Sequence, residues 1–132
     1  MIVVLDSNEY INYLNKISLK LDLIFKNEKF TIFLNELIVK EVLRAITKEL
    51  KKEFYRIIFN YNLSVNNEKL PLGLFKKYND IGLKKGDIEI AAFCEYIKAD
   101  YLITENRHFL KNIALNKFQI LNLNNFLNKL AY

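Results

Sequence analysis

Four short stretches of the chain are apolar at nearly every position: IVVL at 2–5, FTIFL at 30–34, DYLIT at 100–104 and, more weakly, KFQIL at 117–121. Runs of that length without polar alternation, rich in β-branched residues, predict strands covered on both faces. Between them the apolar period changes to three and four. Asn35 can cap a helix starting at Glu36, and Ile38, Val42, Ala45, Ile46, Leu50, Phe54, Ile57, Ile58 and Tyr61 then fall on one stripe. This predicts a helix to about Tyr61, with room for a break. The segment 64–72, which holds the sole proline, Pro71, reads as a loop. A short helix at 73–78, a helix at 87–98, a helical turn after Asn106 and a last helix near 124–130 complete the pattern. Short apolar strands separated by helices predict an α/β fold with a parallel sheet covered on both sides. In such sheets ligands bind outside the carboxyl ends of the strands.

Length and composition narrow the picture. At 132 residues the chain fits one domain, 1–132, and 52% hydrophobic residues with a mean hydropathy near zero exclude a disordered or membrane-embedded class. The opening Met-Ile-Val-Val-Leu-Asp has no basic leader and reads as a first strand. One cysteine, Cys94, rules out a disulfide framework and a thiolate metal cluster; it reads as a buried structural thiol in a cytoplasmic protein. The net charge of +5 leans toward a polyanionic partner. That lean is slight, because the lysine and asparagine bias is one an AT-rich genome produces by itself.

The predicted strand ends carry the chemistry. The first ends in Asp6-Ser7-Asn8-Glu9 and the third in Thr104-Glu105-Asn106-Arg107, while Asp87 opens the helix leading into the third and Glu41 lies in the second turn after Asn35. Each has a plain reading beside the chemical one. Asp6 reads equally as an N-cap with the Asp-x-x-Glu spacing of a capping box, Asp87 as an N-cap of a helix starting at Ile88, and Asn106 as the cap of the next turn. Glu41 sits on the flank of the apolar stripe, beside Lys48 and Lys52 with Arg44 slightly farther round; it reads as half of a salt bridge or as a metal ligand beside a phosphate-binding row. Two carboxylates about 4 Å apart repel by about 4 kcal/mol at an effective dielectric of 20. A gathered trio therefore calls for protons or a divalent cation. Oxygen donors with only His108 nearby suit Mg2+ or Mn2+ and argue against zinc.

With IVVLDSN at 2–8, LIVKEVLRAI at 37–46, KKGDIEIAAFCEYIKADYLITENRHF at 84–109 and the weaker FQILNLNNFL at 118–127, the chain resembles the PIN-domain family, and within it the VapC-like ribonuclease toxins of toxin-antitoxin pairs. The resemblance implies a three-layer α/β/α domain around a short parallel sheet of about four to five strands. It puts Asp6, Glu41 and Asp87 at the family's three acidic metal ligands and Thr104 at a frequent rim hydroxyl. It also puts Asn106 where a fourth acid often stands. That is a departure: an amide oxygen can coordinate a cation but brings no negative charge. The implied reaction is hydrolysis of an RNA phosphodiester by water activated at Mg2+ or Mn2+, leaving a 5'-phosphate and a 3'-hydroxyl. Arg44, Lys48, Lys52, Lys84, Lys85 and Arg107 are candidates for contacts to the RNA backbone. The family further implies an antitoxin partner and a homodimer, with Leu19, Leu21, Leu23, Ile24 and Phe25 as apolar candidates for an interface. A PIN-like module that binds without cutting remains open because of Asn106. A phosphoacceptor receiver or a haloacid-dehalogenase-type phosphatase fits poorly, since the chain lacks an early acidic pair and has Asp-Ser-Asn in place of Asp-x-Asp.

Overall fold

A computed structural model describes residues 1–111 and 117–130. Its strands are β1 (Ile2–Leu5), β2 (Thr31–Leu34), β3 (Ser64–Val65), β4 (Tyr101–Ile103) and β5 (Gln119–Leu121). They form one parallel sheet in the order β3-β2-β1-β4-β5, with Val4 opposite Phe33 on one side and Leu102 on the other. Val3, Val4 and Leu5 are all fully buried, so both faces of the central strand are covered and no polar alternation is possible. The helices among the described residues are α1 (Ser7–Leu14), α2 (Asp22–Phe25), α3 (Glu36–Ala45), α4 (Lys48–Asn60), α5 (Leu72–Ile81), α6 (Lys85–Tyr96), α7 (Arg107–Lys111) and α8 (Leu123–Leu130). None is long and apolar enough to cross a membrane.

The stripe expected from Glu36 to Tyr61 breaks into α3 and α4. Ile46 is extended, at φ −120° and ψ 160°, and the Thr47 hydroxyl accepts the Leu50 N–H at 3.4 Å. Two β-branched residues in succession weaken the helix, and a threonine that can cap the next one completes the break. Consequently Lys48 and Lys52 do not share a helix face with Glu41, contrary to the reading of one continuous wheel. The expected loop at 64–72 contains β3, whose two residues are too few to leave a period and pair only with β2. It gives way at Leu72 to α5, which runs to Ile81 and ends at Gly82 in the left-handed region, φ +110°. Helix α6 begins two residues earlier than predicted. Asp87 therefore stands within its first turn and not at its cap, which is Lys84.

Asp6 does occupy the N-cap position of α1, but the capping box does not form. Its backbone N–H, which Glu9 would have to satisfy, already donates to the Ile103 carbonyl at 2.9 Å as part of the sheet. Of the apolar residues offered as an interface, Leu21, Ile24 and Phe25 are core, while Leu19 and Leu23 are exposed.

An aromatic cluster fastens α1 to α2 and α4. Tyr10 packs on Phe25 and Phe54 with ring centroids 6.4 and 5.5 Å away, and Phe25 stacks on Tyr61 at 5.1 Å. Tyr10 is fully buried, burial pushes its hydroxyl pKa up, and that hydroxyl has no hydrogen-bond partner among the described residues. A buried donor left unmade costs about 1–3 kcal/mol. Tyr10→Phe is accordingly expected to raise the urea midpoint, by a stabilisation on the order of 1 kcal/mol; a lower midpoint would mean that the hydroxyl has a partner.

Candidate active site

The sheet order reverses direction between β1 and β4: the connections leaving β1 build outward through β2 and β3, and the chain then returns to the other side of β1. Such a switch opens a crevice at the carboxyl ends of the two strands. Asp6 and Thr104 stand on either side of it. The Thr104 hydroxyl donates to Asp6 Oδ2 at 2.7 Å, and the Ser7 N–H donates to Asp6 Oδ1 at 2.8 Å. Both side chains are buried, so the Asp6 carboxylate is fixed in orientation by two donors from separate elements.

Glu41 and Asp87 approach from α3 and α6, which pack against each other. Both carboxyls have raised pKa values. For Glu41 burial leads and the Asp6 charge follows, with a smaller push from Asp87 against the lowering effects of Ser7 and Arg44. For Asp87 burial again leads, then Asp6, opposed by Asn106 and His108. Glu41 Oε1 is buried without a hydrogen-bond partner among the described residues. The three acids are thus electrostatic neighbours, although no three His, Cys, Asp or Glu side chains among the described residues converge as a ready metal cluster.

Asn106 is oriented by its surroundings. Its Oδ1 accepts the His108 N–H at 2.9 Å, capping α7, and a backbone N–H can only donate, so the amide oxygen must lie there. The NH2 group consequently faces Asp87, donating at 3.3 and 3.4 Å to its two oxygens. The cap reading of Asn106 thus holds, and its oxygen is turned away from the acids.

A cavity of about 590 Å3 adjoins this rim, lined by Glu41 and Asp87 together with Lys84, Lys85, His108 and the backbone around Gly82 and Gly86. Two of the six basic candidates, Lys84 and Lys85, are therefore at the site. Arg44 is exposed yet close enough to lower the Glu41 pKa, Arg107 is exposed beside His108, and Lys48 and Lys52 lie on α4, outside the cavity lining.

Sequence reasoning missed Ser7, which a polar residue after a strand-ending aspartate could have suggested, and it missed a second acid pair. Glu9 on α1 is 4% exposed, with Oε1 unpartnered among the described residues. Its pKa is pushed up to about 8, first by burial, then by a hydrogen bond and charge from Glu105, then by the Asp6 charge. Glu105 Oε2 in turn accepts the Leu123 N–H at 3.1 Å, at the start of α8. A small cavity beside the pair is lined also by Asn12, Lys20 and Asn124.

No family model and no curated protein matches the chain. Among solved structures it is similar to a chain of VapBC2 from Rickettsia felis, determined bound to a DNA fragment from their promoter. That match has 18% identity and a TM-score of 0.59, covering 92% of this chain and 98% of that one. It is also similar to the PIN domain of T. brucei RRP44, with 10% identity and a TM-score of 0.56, covering 98% of this chain and 80% of that one. Identities this low speak for architecture alone, and the sheet order, the crevice and both matches agree on it: the chain has the PIN-domain fold.

Proposed function

We propose that the protein is a Mg2+- or Mn2+-dependent endoribonuclease, the toxin of a toxin-antitoxin pair, working as one cytoplasmic domain that forms homodimers and is held in check by an antitoxin. The observation that carries this reading is the mutual charge burden of Asp6, Glu41 and Asp87 at the switch-point crevice, with Glu41 Oε1 buried and unpaired. A purely structural carboxylate pairs both of its oxygens; this one has Ser7 as a donor but leaves Oε1 without one among the described residues. The donors are oxygens throughout, which fits a hard divalent cation. Asp6, Glu41 and Asp87 are the residues that would hold it, and when bound it supplies neutralising charge and Lewis acidity at the scissile phosphodiester.

The remaining residues have roles of their own. Thr104 and the Ser7 N–H hold the Asp6 carboxylate at a fixed angle. Asn106, through its NH2 group, orients Asp87 and supplies a donor near the place where phosphate oxygens approach. Lys84, Lys85 and His108 give the cavity wall beside the acids a cationic character suited to a polyanionic backbone. The neighbouring structures named for VapBC2 and for a PIN domain support the same class.

The test is cleavage of structured and single-stranded RNA by purified, partner-free protein with Mg2+, Mn2+ or EDTA, beside Asp87→Asn. Cleavage that needs the metal and is lost in the variant is expected. Folded protein with no metal-dependent cleavage would favour the second reading, a PIN-fold module that binds without cutting. The observation favouring that reading is Asn106, which turns a donor amide toward Asp87 where a fourth acid often stands.

A further inference from the structure

Helix α4 presents an outer face on which exposed aromatic rings and lysines lie together. Phe54 and Ile57 anchor its inner face in the core, and Leu50 and Ile58 flank them. At about 100° per residue, Tyr55, Lys48, Phe59 and Lys52 then fall within roughly 60° of one another on the opposite side. Phe59 is 85% exposed and Tyr55 53%. Lys51 borders the stripe on one flank; on the other, Arg56 is spoken for by Glu53 at 3.3 Å. Among the described residues Lys48, Lys51 and Lys52 have no ion-pair partner.

We propose that this stripe is a binding platform for single-stranded RNA, with bases stacked on Tyr55 and Phe59 and phosphates held by Lys48, Lys51 and Lys52. The inference rests on the RNA reading above and extends it from the crevice to a second surface. Aromatic rings accept any base face, and cations on the turns before them track the backbone without reading sequence. Tyr55 and Phe59 are one turn apart, about 6 Å along the helix axis, within the reach of neighbouring bases. A surface built for a partner helix would interleave aliphatic residues, which this stripe lacks; Lys51 and Lys52 lie one turn from Tyr55, and Lys48 one turn beyond them. Duplex RNA hides its base faces, so the platform selects unpaired strands.

The test is binding of fluorescently labelled single-stranded and duplex RNA in EDTA, where cutting does not intrude, by parent, Tyr55→Ala, Phe59→Ala, Phe59→Trp and a Lys48→Gln, Lys52→Gln pair. All are surface positions, and thermal melting checks that each variant remains folded. Each alanine variant is expected to weaken single-strand binding roughly 5- to 100-fold with duplex binding nearly unchanged, and Phe59→Trp to retain it. The lysine pair is expected to flatten the salt dependence by roughly 0.7 per charge, which the ring substitutions leave alone. If parent protein cuts and binds RNA but both alanine variants bind as it does, the platform is wrong and the nuclease stands. Should the parent neither bind nor cut RNA, both readings fall. If Phe59→Ala dissolves self-association and leaves RNA affinity unchanged, the stripe is an interface between copies and the proposal is overturned.

Discussion

Asp6→Asn is expected to lower RNA cleavage on the order of 1000-fold or more and, at neutral pH without metal, to melt roughly 2–4 °C above the parent. The two effects have one origin. The carboxylate accepts hydrogen bonds from Ser7 and Thr104 that an asparagine can keep: its oxygen takes the Ser7 N–H, and the Thr104 hydroxyl turns to accept from its NH2. What disappears is a negative charge that raises the pKa values of Glu41, Asp87 and Glu9. Removing it relieves repulsion in the metal-free protein and takes away one donor for the cation. Thermal melting with and without Mg2+ separates these: Mg2+ should raise the melting temperature of the parent and leave that of the variant where it was. Lower activity accompanied by a lower melting temperature in both conditions would instead make Asp6 a structural cap.

Glu9→Gln is expected to raise the melting temperature at pH 8 on the order of 5–10 °C and to leave it nearly unchanged at pH 4. The folded pKa of Glu9 is about 8, above the ordinary glutamate value of 4.5. Below pH 4.5 folded and unfolded chains both carry the proton, and its contribution to stability is fully present. Between 4.5 and 8 the unfolded chain releases the proton while the folded chain retains it, so stability falls as pH rises and the contribution is lost above 8. Glutamine cannot ionise, and its NH2 is a donor for the facing Glu105 carboxylate. The charges facing Glu9 are those of Glu105 and Asp6, with Lys20 lining the adjoining cavity. Glu41 and Asp87 contribute in the same direction and remain in the variant, which therefore keeps a weaker slope. Parallel parent and variant curves from pH 4 to 9 would show that Glu9 ionises normally in the folded chain.

Much of the architecture was legible because burial on both faces leaves a signature no loop imitates. The runs at 2–5, 30–34 and 100–104 are strands because nothing polar interrupts them, and the strand ends pointed to Asp6 and Thr104. Elements set by few residues left no such mark. The two residues of β3 and the four of α2 are shorter than any period, and the turn between α3 and α4 depends on the capping choice of Thr47. That break also explains why Lys48 and Lys52 were wrongly set beside Glu41, since a helical wheel is valid only while the axis continues. The resemblance named Asp6, Glu41 and Asp87, but sequence alone could not say which way the Asn106 amide faces. That depends on a cap formed two residues later. Glu9 escaped notice because a glutamate three residues after an N-cap looks like ordinary capping, and the charge that adds to the effect of its burial comes from Glu105, distant in the chain.

The bond between Thr104 and Asp6 joins residues 98 positions apart. A ribosome has delivered Asp6 and Glu41 long before it delivers Asp87 and Thr104, and β1 must wait for β4 before the crevice has a second wall. Pairing of that sequence separation closes late in folding. A nascent or prematurely terminated chain consequently carries two of the acids but not the assembled rim. For the nuclease proposed above, whose substrate would surround it during its own synthesis, topology alone would delay activity until most of the chain has been made.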